Sequence, residues 1–137
     1  MASLPLRGVL NGIPPLSGGE EPPLEEQVDF DDYQRLAMRT KNPDLDPKLA
    51  KAIAALGLAG EAGETADYIK KVVGHAHEID ASHLAKEIGD VLWYCASLCD
   101  EFGLSLEEVA EMNIEKLRRR YPAGFSSADS ILRRDSR

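Results

Sequence analysis

The sequence predicts an all-α domain, a four-helix bundle-like unit, and three observations carry that expectation. Apolar residues recur at helical spacing from Phe30 to Leu117, and no strand-like alternation of useful length or fixed-period repeat interrupts them. The helix ends are written in local chemistry: Asp46-Pro47 and Ser105-x-x-Glu108 are starts, whereas Asn42-Pro43, Gly74, Gly103 and Tyr121-Pro122 are stops. A chain of 137 residues, 43% of them apolar, is large enough to bury one core without disulfide staples.

Residues 1–28 hold five of the eight prolines and no sustained periodicity, which predicts a flexible N-terminal tail. The helical domain is expected over residues 29–125, followed by a basic extension over residues 126–137 with one further short turn around Ile131 and Leu132. Within the domain, a first helix starts at Asp29 or Asp31 and runs to about Thr40, with Phe30, Tyr33, Leu36 and Ala37 on one side. The second runs from Pro47, capped by Asp46, to about Val73, with Gly74 as the residue that closes it. Gly57, Gly60 and Gly63 follow one another at i+3 inside it, a track along which another backbone or a ligand can come close, at about 1 kcal/mol of helix propensity each.

The third helix begins near Asp80 or Ser82 and ends at Phe102-Gly103. Glu87, Asp90, Val91, Tyr94 and Leu98 share one face, flanked by an apolar arc of Leu84, Ile88, Leu92, Cys95 and Cys99. Gly89, Trp93 and Ala96 make the reverse side apolar too, so the helix is expected to be covered on both sides, the second cover being another subunit. Ser105 and Glu108 form the capping box of a fourth helix, which carries Leu106, Val109, Ala110, Ile114 and Leu117 as a core stripe and Asn113, Lys116 and Arg120 on a different strip.

Composition excludes several classes. A formal charge of −8 argues against a nucleic-acid binder, which needs a basic face. From Asn113 onward, however, seven Lys/Arg face three acids, so an acidic body carries a basic C-terminal segment. No run of apolar residues is long enough to span a membrane, and the expected location is cytoplasmic. Cys95 and Cys99, one turn apart in an apolar stretch, read as core thiols, and His75 and His77 as exposed residues complementing a helix end.

The chemistry concentrates in two acidic pairs, Glu61/Glu64 and Glu87/Asp90, each three residues apart and so on one helical face. Four carboxylates set in apolar surroundings repel one another unless a cation, a proton or water intervenes. Carboxylate oxygens suit hard cations, which points to Mg²⁺ or Mn²⁺. A di-iron bundle would add histidine three residues after a glutamate on each of two helices, and Glu64 and Asp90 occupy those places instead. A divalent cation beside a basic helix suits phosphoryl chemistry.

Gly57-Leu58-Ala59-Gly60-Glu61-Ala62-Gly63-Glu64, Lys86-Glu87-Ile88-Gly89-Asp90-Val91-Leu92, and Asn113-Ile114-Glu115-Lys116-Leu117 with Arg120-Tyr121-Pro122 together resemble the MazG-like all-α nucleoside triphosphate pyrophosphohydrolases, over roughly Phe30 to Phe125. The resemblance implies hydrolysis of a (deoxy)nucleoside triphosphate between the α and β phosphates to the monophosphate and pyrophosphate, a reaction suited to nucleotide-pool cleaning. It implies Mg²⁺ on Glu61, Glu64, Glu87 and Asp90, with Glu61 or Glu64 also orienting or deprotonating water. It implies phosphate contacts from Lys116, Arg120 and Asn113, base contacts from Tyr94, Gln34 and Thr40, and a homo-dimer or homo-tetramer. The alternative from a different class is a non-catalytic oligomeric module that binds nucleotide or metal as a regulatory signal.

Overall fold

The computed structural model describes residues 28–133. The Pro-rich stretch expected as a tail therefore lies outside the described residues, apart from Val28. Five helices follow in order: α1 (Phe30–Met38), α2 (Pro47–Gly74), α3 (Ala81–Glu101), α4 (Leu106–Arg120) and the short α5 (Ser127–Leu132). Among the described residues there is no strand, only an isolated bridge between Pro122 and Gly124. None of these helices is long and apolar enough to cross a membrane.

Each start is fixed by a side chain that accepts otherwise unsatisfied N–H groups of the first turn. Asp29 accepts from Asp32 N, Asp46 from Lys48 N and Leu49 N, Asp80 from Ser82 N and His83 N, and Ser105 from Glu108 N. The stops follow expectation less closely. α2 runs unbroken through its three glycines and through Gly74, and the left-handed residue after it is Ala76, at φ 57°. His77 N–H reaches back to Lys71 O at 3.3 Å, and holding that reversal is what places Ala76, rather than Gly74, in the left-handed region. α3 ends as expected, Gly103 taking φ 65°.

α2 and α3 form an antiparallel hairpin, shown by the meeting of Gly57 with Tyr94 at one end and of Tyr68 with Asp80 at the other. α1 packs against α3. Its Ala37 carbonyl and Thr40 hydroxyl accept Trp93 Nε1–H at 3.2 and 2.8 Å, and Lys41, just beyond its end, pairs with Asp100 and Glu101. On the back of α3, where the sequence suggested another subunit, Trp93 and Ala96 thus receive α1 of the same chain. Ala96, fully buried, lets the helices close on one another, and Cys99 and Leu106 complete a core joined by Tyr33, Met38, Leu92 and Cys95. Both cysteines are free thiols, and burial pushes both above their ordinary pKa.

This core is thin. No large side chain among the described residues is fully buried, while Leu56, Val73, Met112 and Phe125 are more than 70% exposed. α4 docks at its start: Gln34 donates to Leu104 O at 3.0 Å and accepts from Leu106 N at 2.7 Å, and Ser105 Oγ bonds Asp31 at 2.6 Å. Beyond Ala110 every residue up to Arg119 is exposed.

Candidate active site

The hairpin sets the acids of α2 against those of α3. Glu61 and Glu64 lie one turn apart, Glu87 faces them, and one carboxylate oxygen from each lies within 4.8 Å of the others. Glu61 and Glu87 are half-buried and Glu64 is exposed. Asp90 lies beyond this trio, exposed, and close enough that its charge acts on both Glu61 and Tyr33. Partial desolvation, followed by the charges of Glu64, Asp90 and Glu87, pushes the Glu61 carboxyl above the usual glutamate range. Every neighbouring charge in that balance is negative.

This donor set fits a hard divalent cation. All its ligating atoms are carboxylate oxygens, and positive charge between them would offset both the desolvation and the mutual repulsion that hold Glu61 up. Beside the trio a cavity of about 430 Å³ opens, with Glu64 and Glu87 on its wall and Gly60 and Gly63 on its floor. A β-carbon at either glycine would meet nothing within 4 Å, so their bareness leaves space for a ligand and does not serve helix packing.

Gly57 is the opposite case. A β-carbon there would fall 2.0 Å from Tyr94 Cε1, so the Tyr94 ring lies on bare α2 backbone, its other flank set edge-on to Trp93 at 4.9 Å. Both ends of the Gln34 amide are bonded to main chain at the α3–α4 turn. Thr40 Oγ1 donates to Ala37 O at 2.7 Å and accepts from Trp93. Asn113 and Lys116 are exposed on the outer half of α4, and the Arg120 guanidinium lies 5.9 Å from the Tyr121 ring. The cavity is lined by neither these three nor Tyr94 and Gln34. One chain thus gathers the acids and leaves the basic strip apart from them.

The cavity has a second end that the sequence reading passed over. Tyr68 and Lys71 of α2 and His83 of α3 line it. A signal for two of them exists: Glu61, Glu64, Tyr68 and Lys71 stand at i, i+3, i+7 and i+10, one continuous stripe of a helix. His75 and His77, which drew notice for their spacing, follow the end of α2 and do not line the cavity.

A family model described as the MazG nucleotide pyrophosphohydrolase domain matches residues 51–125, more than half of the 137-residue chain. The chain belongs to this family. The match takes in both acidic pairs of this MazG domain and the whole of α4, and leaves α1 outside it. The MazG chain is also similar to the Gene 37 protein of Mycobacterium phage L5, with 34% identity over 85 residues that cover 59% of this chain and 75% of the phage protein. No solved structure matches the chain significantly.

Proposed function

We propose that this MazG domain hydrolyses (deoxy)nucleoside triphosphates between the α and β phosphates, releasing the monophosphate and pyrophosphate, and that it needs Mg²⁺ or Mn²⁺ to do so. The observation that carries this reading is the convergence of Glu61, Glu64 and Glu87 at one edge of an open cavity, in a family of nucleotide pyrophosphohydrolases. In the proposal these three hold the cation, with Asp90 completing the set through water or on closure. The bound cation would neutralise phosphate oxygens and lower the pKa of a water. Glu61 or Glu64, the two acids of α2 in the trio, also orients or deprotonates the attacking water.

The proposal includes a second copy of the chain, in a homo-dimer or homo-tetramer. The exposed apolar residues of α2 and α4 need a cover, and an amphipathic helix extending into solvent is unstable alone. A second copy would also bring Asn113, Lys116 and Arg120 of its α4 toward phosphates held at the acids, in a cavity that none of the three lines within one chain. Tyr94 and Gln34 remain the proposed base contacts. Tyr94 acts through the ring edge left free of Gly57, and Gln34 acts indirectly by fixing the turn that aims α4.

The test is pyrophosphate release from a panel of canonical and modified nucleoside triphosphates with Mg²⁺, wild type beside Glu64→Gln. Turnover is expected in the wild type, and a loss of at least about a hundredfold in the variant with its assembly and helicity unchanged. Equal turnover in both would remove Glu64 from the mechanism. No turnover by a folded wild type that binds Mg²⁺ would favour the regulatory module.

A further inference from the structure

The acid edge explains one end of the cavity and leaves the other without a task. Four carboxylates carry four negative charges, and one divalent cation leaves the site net negative, a poor host for a nucleotide's phosphates unless the same cavity also offers positive charge. Within one chain it does so at Lys71. Asp67 is shared by two lysines: Lys70 Nζ bonds Oδ1, and Lys71 Nζ lies 2.7 Å from Oδ2. Asp67 and Lys71 both line the cavity, and because Lys70 from outside it also pairs with Asp67, the Lys71 ammonium is not the sole counter-charge of that carboxylate and is the lysine placed to meet an anion there.

The surroundings of Lys71 are built, not loose. The Tyr68 hydroxyl accepts Asp80 N–H at 2.7 Å and faces Asp80 O at 3.3 Å, which docks the start of α3 on α2 and fixes the ring. His83 packs edge-on against that ring at 4.6 Å, with Nε2 3.5 Å from Glu87 Oε1. Tyr68 and His83 therefore form a continuous wall from Lys71 to the acids. Lys71 follows Glu64 by seven residues, about 10 Å along the helix, a separation the lysine stem and a diphosphate together can bridge.

We propose that Lys71, braced by Asp67 and walled by Tyr68 and His83, is the anion-binding end of this cavity and holds the diphosphate portion of the nucleotide and the inorganic pyrophosphate product, so that the α phosphate lies at the acids. The inference rests on the pyrophosphohydrolase reading and adds a direction to it: the phosphate chain runs toward the C-terminal end of α2. Lys71 is a binding residue in this scheme, and no bond is made or broken on it.

The test is calorimetric binding of inorganic pyrophosphate in the presence of Mg²⁺ to wild type, Lys71→Met and Lys71→Arg, with nucleoside monophosphate as the comparison ligand. The Met variant is expected to bind pyrophosphate about ten- to a hundredfold more weakly, the loss of one charge-assisted hydrogen bond, and to bind monophosphate as the wild type does. Arginine restores most of the loss. In turnover the same variant raises KM with a smaller effect on kcat, and pyrophosphate becomes a weaker product inhibitor by the same factor. Unchanged pyrophosphate binding in Lys71→Met overturns the inference, as does an equal weakening of both ligands. The binding measurement does not depend on turnover. An inactive wild type that still loses pyrophosphate with Lys71→Met would sink the hydrolytic reading alone, and an active one indifferent to Lys71 would sink this inference alone.

Discussion

Replacing Gly57 with alanine should destabilise the domain in the wild type and stabilise it when Tyr94 is removed. The reversal follows from one contact. An added β-carbon would lie 2.0, 2.4 and 2.5 Å from three carbons of the Tyr94 ring, where ordinary contact begins at 3.4 Å, so the ring must retreat by about 1.5 Å. It cannot do so freely, because Trp93 stands edge-on against it at 4.9 Å and the Trp93 indole is itself bonded to Ala37 and Thr40 of the α1 end. Overpacking of this kind costs about 1–3 kcal/mol, and the alanine returns about 1 kcal/mol of helix propensity, for a net loss of about 1 kcal/mol. In the Tyr94→Ala background the overlap is gone and the same substitution should gain about 1 kcal/mol, a coupling of about 2 kcal/mol. Gly60→Ala is the control, because its β-carbon meets nothing, and should gain about 1 kcal/mol in both backgrounds. Urea unfolding of the wild type and the five variants at one fixed protein concentration reads these values, concentration being held because assembly adds to stability. If Gly57→Ala shifts stability by the same amount with and without Tyr94, the close crossing of α2 and α3 at this point is wrong.

The remaining expectations are simpler. Ala76 occupies the left-handed region at φ 57°, which costs a β-carbon about 1–2 kcal/mol. Ala76→Gly should therefore raise the unfolding free energy by up to about 1 kcal/mol in the same urea assay, and a decrease would count against that backbone geometry. The Glu61 carboxyl is held up in the folded chain, so between the ordinary glutamate value of 4.5 and its raised value the folded state binds more protons than the unfolded. Stability from this group therefore falls as pH rises through that window. Asp67, pulled down to about 2 by Lys70 and Lys71, titrates below this window: its contribution is present above 3.8 and lost toward pH 2. Thermal melts with a chelator should accordingly fall more steeply with pH above 4.5 for wild type than for Glu61→Gln, and saturating Mg²⁺ should remove the difference. Parallel curves in the chelator would mean that the carboxylates do not crowd one another.

What the sequence made legible is what depends on neighbours within four residues. Asp29, Asp46, Asp80 and Ser105 each cap a helix because a short side chain reaches only its own first turn, and that geometry is the same in any tertiary setting. The two acidic pairs were legible for the same reason, since residues three apart on a helix share a face wherever the helix goes. Which faces then meet was not. Trp93 and Ala96 read as a surface for a second subunit and receive α1, through Ala37 on Trp93 and Tyr33 and Met38 against the Ala96 cluster, a meeting of distant segments that no local pattern encodes. The glycine track illustrates the limit more sharply. Gly57, Gly60 and Gly63 are equivalent in sequence, yet one takes an aromatic ring and two line a cavity, because α3 presents Tyr94 at one level and nothing within 4 Å at the next. Lys71 escaped notice because its charge reads as half of a surface ion pair with Asp67 until the cavity is seen.

The site and the stability of the fold are joined through the same hairpin. α2 is held chiefly by α3, and its outward apolar residues, Leu56 and Val73 among them, are bare in the single chain. The acids therefore sit on an element with little core behind it, where repulsion among them is least affordable. A cation that binds only the folded hairpin stabilises it by about 2.7 kcal/mol at a hundredfold excess over its dissociation constant, more than the whole Gly57–Tyr94 coupling. Metal must accordingly be absent when that coupling is measured. With metal restored, the wild type and the three variants of that cycle should rise by the same amount if Tyr94 does no more than set the crossing. A smaller rise in the Tyr94→Ala pair would mean that the ring, one turn from Asp90, also holds the acids at their spacing, and that the contact at Gly57 serves the site as well as the fold.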